Sequence, residues 1–131
     1  MSATNTLGLR RPATAPAIFT ALYSALIVAI QVPALYTPAS SQEMLGIPDA
    51  TSARFIAFCL IAIKGYELIG ALQDNWAVYW FAVVGRIGAA SMMLSVGGGW
   101  AKTAPFDFGS AAVLAGCMWF SSRSGEKGER T

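Results

Sequence analysis

Histidine is missing from this sequence of 131 residues, and charged side chains are scarce. Without histidine, the chain lacks the commonest metal ligand and the commonest general base. Charged residues make up 12% of the chain, whereas they make up about 25% of an ordinary soluble domain. The two cysteines, Cys59 and Cys117, do not form a CxxC pair, so thiol redox chemistry is not indicated. We therefore expect neither a metal site nor a cofactor.

Apolar residues take the place of the missing charge: they make up 55% of the chain and gather in four runs. A helix needs about 20 such residues to cross a bilayer, and none of the runs shows the polar stripe of a soluble helix. We predict an all-α, multi-pass integral membrane protein, a four-helix bundle between two tails. The predicted segments are a flexible tail 1–15, spans 16–36, 53–73, 76–96 and 105–120, and a disordered tail 121–131. The glycines at 97–99 are expected to end the third span, because glycine disfavours helix.

Basic residues near the ends of the spans predict the orientation of the bundle. With four spans, both tails and the Asp74–Asn75 turn lie on one side of the membrane. The basic residues on the other side are Arg54 and Lys102. The first side holds Arg10, Arg11, Arg123, Lys127 and Arg130. We therefore expect both termini to be cytosolic. The small net charge of +2 and the lack of aromatic residues among the basic ones argue against nucleic acid as a partner.

A few ionisable residues fall inside the predicted spans, where a charge costs several kcal/mol and needs a reason. Lys64 and Glu67 are three residues apart in the second span, so they share one helix face. Arg86 lies in the third span, and counting about 1.5 Å per residue from the tight turn places it level with Lys64 and within reach of Glu67. We predict a buried cluster of Lys64, Glu67 and Arg86, to which Asp107 adds a second acid if the fourth span packs on the third.

Three interpretations of this cluster remain open. The charges neutralise one another and only fix helix pairing, which makes the protein a non-catalytic scaffold. They line a polar cavity in which a carboxylate acts as general acid or base on a lipophilic molecule, with Arg86 stabilising an anion. Or they lie on a path for ions or solutes, which requires a homo-oligomer because four short helices scarcely enclose such a path. Membrane lipid is a partner in each case.

Short motifs between Met44 and Phe120 resemble a group of small four-span membrane proteins of bacteria and fungi. The motifs are MLGIPD in the loop after the first span, GYELIGALQDN in the second span, WAVYWFAVVGR at the start of the third and PFDFGSAA at the start of the fourth. Some fungal proteins of this group are membrane-bound epoxide hydrolases of polyketide biosynthesis. The resemblance implies hydrolysis of an epoxide, or epoxide-opening cyclisation, on a lipophilic natural product.

The chain has the residues that this chemistry needs, which are a carboxylate to activate water and an acid to protonate the leaving oxygen. We predict four catalytic residues: Glu67, Arg86, Asp107 and Asp74. We predict substrate or water binding by four more: Lys64, Tyr66, Asn75 and Tyr79. The assignment of Tyr66 and Asn75 as water-binding groups is an analogy with soluble epoxide hydrolases of another fold.

Overall fold

A computed structural model describes residues 8–129, and it is all-helical over that range. Five helices follow one another: α1 (Ala15–Tyr36), α2 (Ala39–Leu45), α3 (Ala50–Leu72), α4 (Trp76–Val96) and α5 (Gly98–Glu129). Three of them, α1, α3 and α4, are long and apolar enough to cross a membrane. The all-α prediction is confirmed, and the first three predicted spans agree with these helices to within three residues at each end.

Polar side chains cap the beginnings of the three apolar helices. Thr14 accepts a hydrogen bond from the Ala17 N–H at the start of α1, and Asn75 accepts one from the Ala77 N–H at the start of α4. Asp49 accepts two bonds from Ser52, from its backbone N–H and its hydroxyl, each 2.7 Å long. These bonds favour the carboxylate and hold the pKa of Asp49 below its usual range. Such caps satisfy N–H groups that the first helical turn leaves unpaired.

The four long helices pack as two antiparallel pairs. α1 lies mainly against α3 and α4 mainly against α5, and contacts between α1 and α5 and between α3 and α4 join the pairs. The Arg10 N–H donates a hydrogen bond to the Leu72 carbonyl, which ties the approach to α1 to the last turn of α3. A core of mostly small side chains, including Ala17, Ala71 and Ala82, lies around the larger Tyr79 and Leu114.

The turn between α3 and α4 is short, as predicted, and depends on a glycine. Asp74 adopts a φ of +50°, and the Asn75 N–H returns a 2.9 Å hydrogen bond to the Gly70 carbonyl. A Cβ atom on Gly70 would lie 2.5 Å from the Val78 side chain. The absence of a side chain at position 70 therefore lets α3 and α4 approach closely.

The predictions for the C-terminal part of the chain are wrong in two respects. The predicted loop before the fourth span is helical from Gly98, and residues 121–129 of the predicted disordered tail continue α5. Gly97 and Gly98, with φ values of +80° and +60°, make the turn into α5. Gly99 continues the helix, and a Cβ atom at this position would collide with the backbone carbonyl of Met44 in α2. Packing against α2 thus explains the glycine at position 99, which helix propensity alone would place in a loop.

α5 is the longest helix and includes the predicted fourth span. Its 32 residues correspond to about 48 Å at 1.5 Å per residue, more than the roughly 30 Å of a hydrocarbon core. Pro105, predicted to open the span, lies inside α5. Among the described residues, α5 is not one of the helices that are long and apolar enough to cross a membrane, so the fourth span stays a prediction.

The outer surface of the bundle is strongly apolar. Leu22, Phe58, Phe81 and Phe106 are each more than half exposed, and many other large apolar side chains share this property. Soluble monomers rarely expose apolar surface on this scale. The exposed face therefore fits lipid contact, in agreement with the three apolar helices.

Candidate functional site

A carboxylate buried between three helices is the centre of the candidate site. Oε2 of Glu67 accepts hydrogen bonds from Arg86 Nη2 at 2.7 Å, Lys64 Nζ at 3.0 Å and Ser24 Oγ at 3.4 Å. Glu67 and Arg86 are each 4% exposed. The predicted contact of Lys64, Glu67 and Arg86 is confirmed. Together with Ser24 these residues are called the Glu67 cluster below.

Tyr23 of α1 covers both cations of the Glu67 cluster. The centre of its ring lies 4.7 Å from Cζ of Arg86 and 5.2 Å from Nζ of Lys64. Both distances lie within the roughly 6 Å over which a cation is attracted to a ring face. Phe19, one turn earlier, stacks on the Tyr23 ring at 5.6 Å. The first helix therefore contacts the carboxylate through the Ser24 hydroxyl and the two cations through the Tyr23 ring.

Asp107 supplies the second carboxylate. α5 packs on α4, as the prediction required, and half-buried Asp107 lies within electrostatic range of Lys64, Arg86 and Glu67. Two cations and two carboxylates bring the formal charge of the site to zero. A buried charge that lacks a partner of opposite sign is costly, so this balance favours the burial of the Glu67 cluster.

The Arg86 guanidinium keeps hydrogen-bonding capacity inside the bundle. Its Nη2 atom binds Glu67, while Nε and Nη1 are buried without a partner among residues 8–129. The hydroxyl of Thr20, one turn before Ser24, is in the same situation. An unpartnered buried donor costs about 1–3 kcal/mol. A polar group of a bound molecule would offset this cost by forming hydrogen bonds with these atoms beside the Glu67 cluster.

A cavity of about 320 Å³ lies between the site and α2. Its walls are mainly apolar, with Met44 and Leu45 of α2 on one side. The other apolar lining residues are Ile27, Ile30, Leu60, Met93, Trp100 and Phe106. The polar lining residues are Tyr23, Gln31, Lys64, Thr103 and Asp107. Lys64 and Asp107 are therefore the charged groups of this cavity wall, and Glu67, which does not line the cavity, binds Lys64.

Asp74 and Tyr79 form a separate group at the turn between α3 and α4, away from the large cavity. Asp74 Oδ1 accepts hydrogen bonds from the Thr14 and Tyr79 hydroxyls, both 2.9 Å long. Asp74 follows Glu67 by seven residues, which corresponds to about 10 Å along a helix. The structure does not bring the two carboxyl groups together, so the prediction that Asp74 is a second acid beside Glu67 needs correction. Tyr79, fully buried, braces the turn and does not line the cavity.

Two other predicted binding residues also lie away from the Glu67 cluster. Tyr66 is 56% exposed on the outer surface of α3, because neighbouring residues of a helix point about 100° apart and its neighbour Glu67 points inward. Asn75 is exposed and caps α4. Their predicted role as water-binding groups of the site is not supported by their positions.

Four polar residues of α1 were not predicted as site residues. Thr20 and Ser24 are buried in the bundle, and Tyr23 and Gln31 line the cavity. Thr20 and Ser24 are four residues apart, and Gln31 follows Ser24 by seven, the spacing of one helix face. This inward-facing polar row differs from the water-facing stripe of a soluble helix, and its spacing is the signal that identifies it in the sequence.

Residues 8–129 contain no group of three or more Asp, Glu, Cys or His side chains placed to hold a metal ion. No family model matches the chain, and no similar curated protein or solved structure is found. The resemblance to small four-span proteins stays a prediction.

Proposed function

We propose that this protein is a four-span membrane enzyme that performs acid–base chemistry on a lipophilic small molecule, with opening of an epoxide as the reaction. One observation carries the proposal: an apolar cavity of about 320 Å³ has an ammonium group and a carboxylate, Lys64 and Asp107, in its wall. Binding cavities for small molecules have volumes of about 300–1,000 Å³ and combine apolar walls with a few polar groups that fix orientation.

In the proposed topology, α5 is the fourth span and both termini are cytosolic. The end of the bundle where α1 begins has Arg10, Arg11 and Arg123 against Asp74, a formal charge of +2 over the described side chains. The other end has Arg54 and Lys102 against Glu43 and Asp49, a formal charge of zero. The positive-inside rule counts basic residues, and three against two favours the same orientation. Reporter domains fused to each terminus test this: activity only in a cytosolic reporter is expected, and reporters on opposite sides would contradict four spans.

The proposed reaction uses one water molecule and regenerates the enzyme. The Asp107 carboxylate accepts a proton from water while the water oxygen forms a bond to an epoxide carbon and the C–O bond of the ring breaks. The Lys64 ammonium donates a proton to the oxygen that leaves, and the product is a diol. The proton on Asp107 then returns to the Lys64 amine. In a cyclisation, a hydroxyl of the substrate replaces the water.

The Glu67 cluster positions Lys64 for this role. Glu67 binds the ammonium at 3.0 Å and the Tyr23 ring covers it at 5.2 Å. Arg86 binds the same oxygen of Glu67 at 2.7 Å, which fixes the carboxylate. Glu67, predicted as a catalytic acid or base, becomes a positioning residue in this proposal, because it is absent from the cavity lining.

The first experiment identifies the reaction. We expect deletion of the gene to cause accumulation of a lipophilic epoxide whose mass is that of the lost product less one water. The accumulated compound is then incubated with purified protein in lipid nanodiscs and in water labelled with ¹⁸O. One labelled oxygen per product molecule is expected for hydrolysis. An unchanged metabolite profile and the absence of turnover would contradict the proposal.

The second experiment tests the residues. Asp107→Asn and Lys64→Met are each expected to lower kcat by about 10²-fold or more, the usual contribution of a general acid or base. Glu43→Gln is the matched control, because Glu43 is an exposed acid of α2 that does not line the cavity. Full turnover in both cavity variants would overturn the assignment. Lower stability with no chemical phenotype would favour the scaffold, and solute flux into liposomes would favour the transporter.

A further inference from the structure

A second, smaller pocket lies at the end of the bundle where α1 begins. It has a volume of about 110 Å³ and is lined by Arg10, Arg11, Thr14, Leu72 and Asp74, with three alanines. It is separate from the large cavity, with which it shares no residue. The space equals that of three or four water molecules in the liquid, which is enough for the oxygen atoms of one phosphate group.

A backbone hydrogen bond of Arg10 holds the segment that carries both arginines at this pocket. The Arg10 N–H donates a hydrogen bond to the Leu72 carbonyl, so the segment before α1 is attached to the last turn of α3. Both arginine side chains are exposed, and neither makes an ion pair within the described part of the chain. Guanidinium groups without a carboxylate partner are suited to a bidentate contact with phosphate.

The remaining groups of the pocket leave its charge positive. Asp74 is its acid, and Oδ1 of that carboxylate accepts bonds from Thr14 and Tyr79. Two arginines against one aspartate give a formal charge of +1. The first turn of α1 has no acidic residue, and the start of a helix adds about half a positive charge. An anion therefore finds net attraction here.

The position of the pocket selects the source of the anion. It lies where α1 begins and α3 ends, and both helices are long and apolar enough to cross a membrane. Partly buried Trp76 opens α4 at the same end, and Arg123 stacks on Trp119 at 4.4 Å in the last part of α5. Tryptophan is enriched at the level of lipid headgroups. A phosphate at this level belongs to a phospholipid.

We propose that Arg10 and Arg11 form a binding site for the phosphate group of one anionic phospholipid in the leaflet that faces the N-terminus. The guanidinium groups contact the phosphate, and the acyl chains lie along the exposed apolar faces of α1 and α3. The site does not depend on the proposed enzymatic function, since it shares no residue with the large cavity.

The test measures thermal unfolding of the full chain in detergent micelles as a function of added short-chain lipid. Dihexanoylphosphatidylglycerol is expected to raise the Tm in a saturable way, and dihexanoylphosphatidylcholine is not. Each arginine near anionic lipid contributes about a fivefold gain in affinity, so Arg10→Gln/Arg11→Gln is expected to weaken half-saturation roughly 30-fold. Arg54→Gln/Lys102→Gln is the matched control, because it also removes two positive charges and both residues are exposed at the other end of the bundle.

Three results would overturn the proposal. An unchanged response in Arg10→Gln/Arg11→Gln would show that the lipid binds elsewhere. An equal loss in Arg54→Gln/Lys102→Gln would show that only overall charge matters. Inorganic phosphate that raises the Tm as much as the lipid would assign the site to a soluble anion. If the double variant does not fold, Arg10→Lys/Arg11→Lys replaces it: weaker binding supports the bidentate contact, and equal binding contradicts it.

Discussion

Replacing Glu67 with glutamine removes the negative charge on which the buried site depends and keeps the shape of the side chain. Both cations bind the same oxygen, Arg86 at 2.7 Å and Lys64 at 3.0 Å. At an effective dielectric constant of about 20, each contact corresponds to an attraction of roughly 6 kcal/mol before the cost of desolvation. The amide oxygen of glutamine still accepts a hydrogen bond, but it no longer balances either charge.

The size of the destabilisation by Glu67→Gln follows from the two cations that remain. Because Nζ of Lys64 and Nη2 of Arg86 both lie within 3.0 Å of one oxygen, they are within about 6 Å of each other. Their repulsion at that separation is about 3 kcal/mol on the same scale. Breaking a buried ion pair by removing one partner usually costs about 3–5 kcal/mol. We therefore expect Glu67→Gln to lower the free energy of unfolding by about 3–5 kcal/mol.

Reversible unfolding in mixed dodecyl maltoside and SDS micelles measures this change, and a second substitution tests the cause. Arg86→Met in the Glu67→Gln background removes one of the two repelling cations. The double variant is expected to be more stable than the sum of the single effects predicts, by about 2 kcal/mol or more. A loss below about 1 kcal/mol for Glu67→Gln, or strictly additive effects, would refute the conclusion that Glu67 is the common partner of both cations.

Three further substitutions test separate parts of the fold. Tyr23→Leu is expected to cost about 1–2 kcal/mol through the lost contact with two cations, whereas Tyr23→Phe keeps the ring face and most of the stability in the same unfolding assay. Gly70→Ala places a Cβ atom against Val78 and is expected to cost about 1–3 kcal/mol, part of which Val78→Ala recovers; no loss would contradict the close packing of α3 and α4. Asp49→Ala is expected to lower the Tm by a few degrees at pH 7. Because hydrogen bonds from Ser52 lower the pKa of Asp49, this Tm difference should persist above pH 4 and shrink as the pH falls further; a difference independent of pH would exclude the charged cap.

The parts of the structure that could be predicted are those that depend on distance along the chain. Hydropathy located α1, α3 and α4, because a run of about 20 apolar residues has few other structures available. The contact between Glu67 and Arg86 followed from counting outward from the Asp74–Asn75 turn, since two helices joined by a tight turn have matched depths. The same counting separates Asp74 from Glu67, although both were predicted as catalytic acids.

The parts that could not be predicted depend on rotation and on long-range packing. Depth alone does not show which residues of a helix face inward, so Tyr66 was assigned to the site although it faces outward. The start of α5 was predicted as a loop because glycine propensity is a local property, whereas Gly99 is required by the nearby backbone of α2. The polar stripe of α1 is visible in the spacing of Thr20 and Ser24, but it is narrow and average hydropathy conceals it.

Lys64 connects the stability of the bundle with its proposed chemistry. Its ammonium binds Glu67 and also lines the cavity, so the bond that balances its charge also fixes its position. Arg86 cannot take this place, because it lies outside the cavity lining and a guanidinium does not give up its proton in a protein. A merely structural cluster would need one cation for one carboxylate, and Glu67 already has Arg86. The second cation, Lys64, and the second carboxylate, Asp107, are therefore the groups that the proposed acid–base chemistry uses.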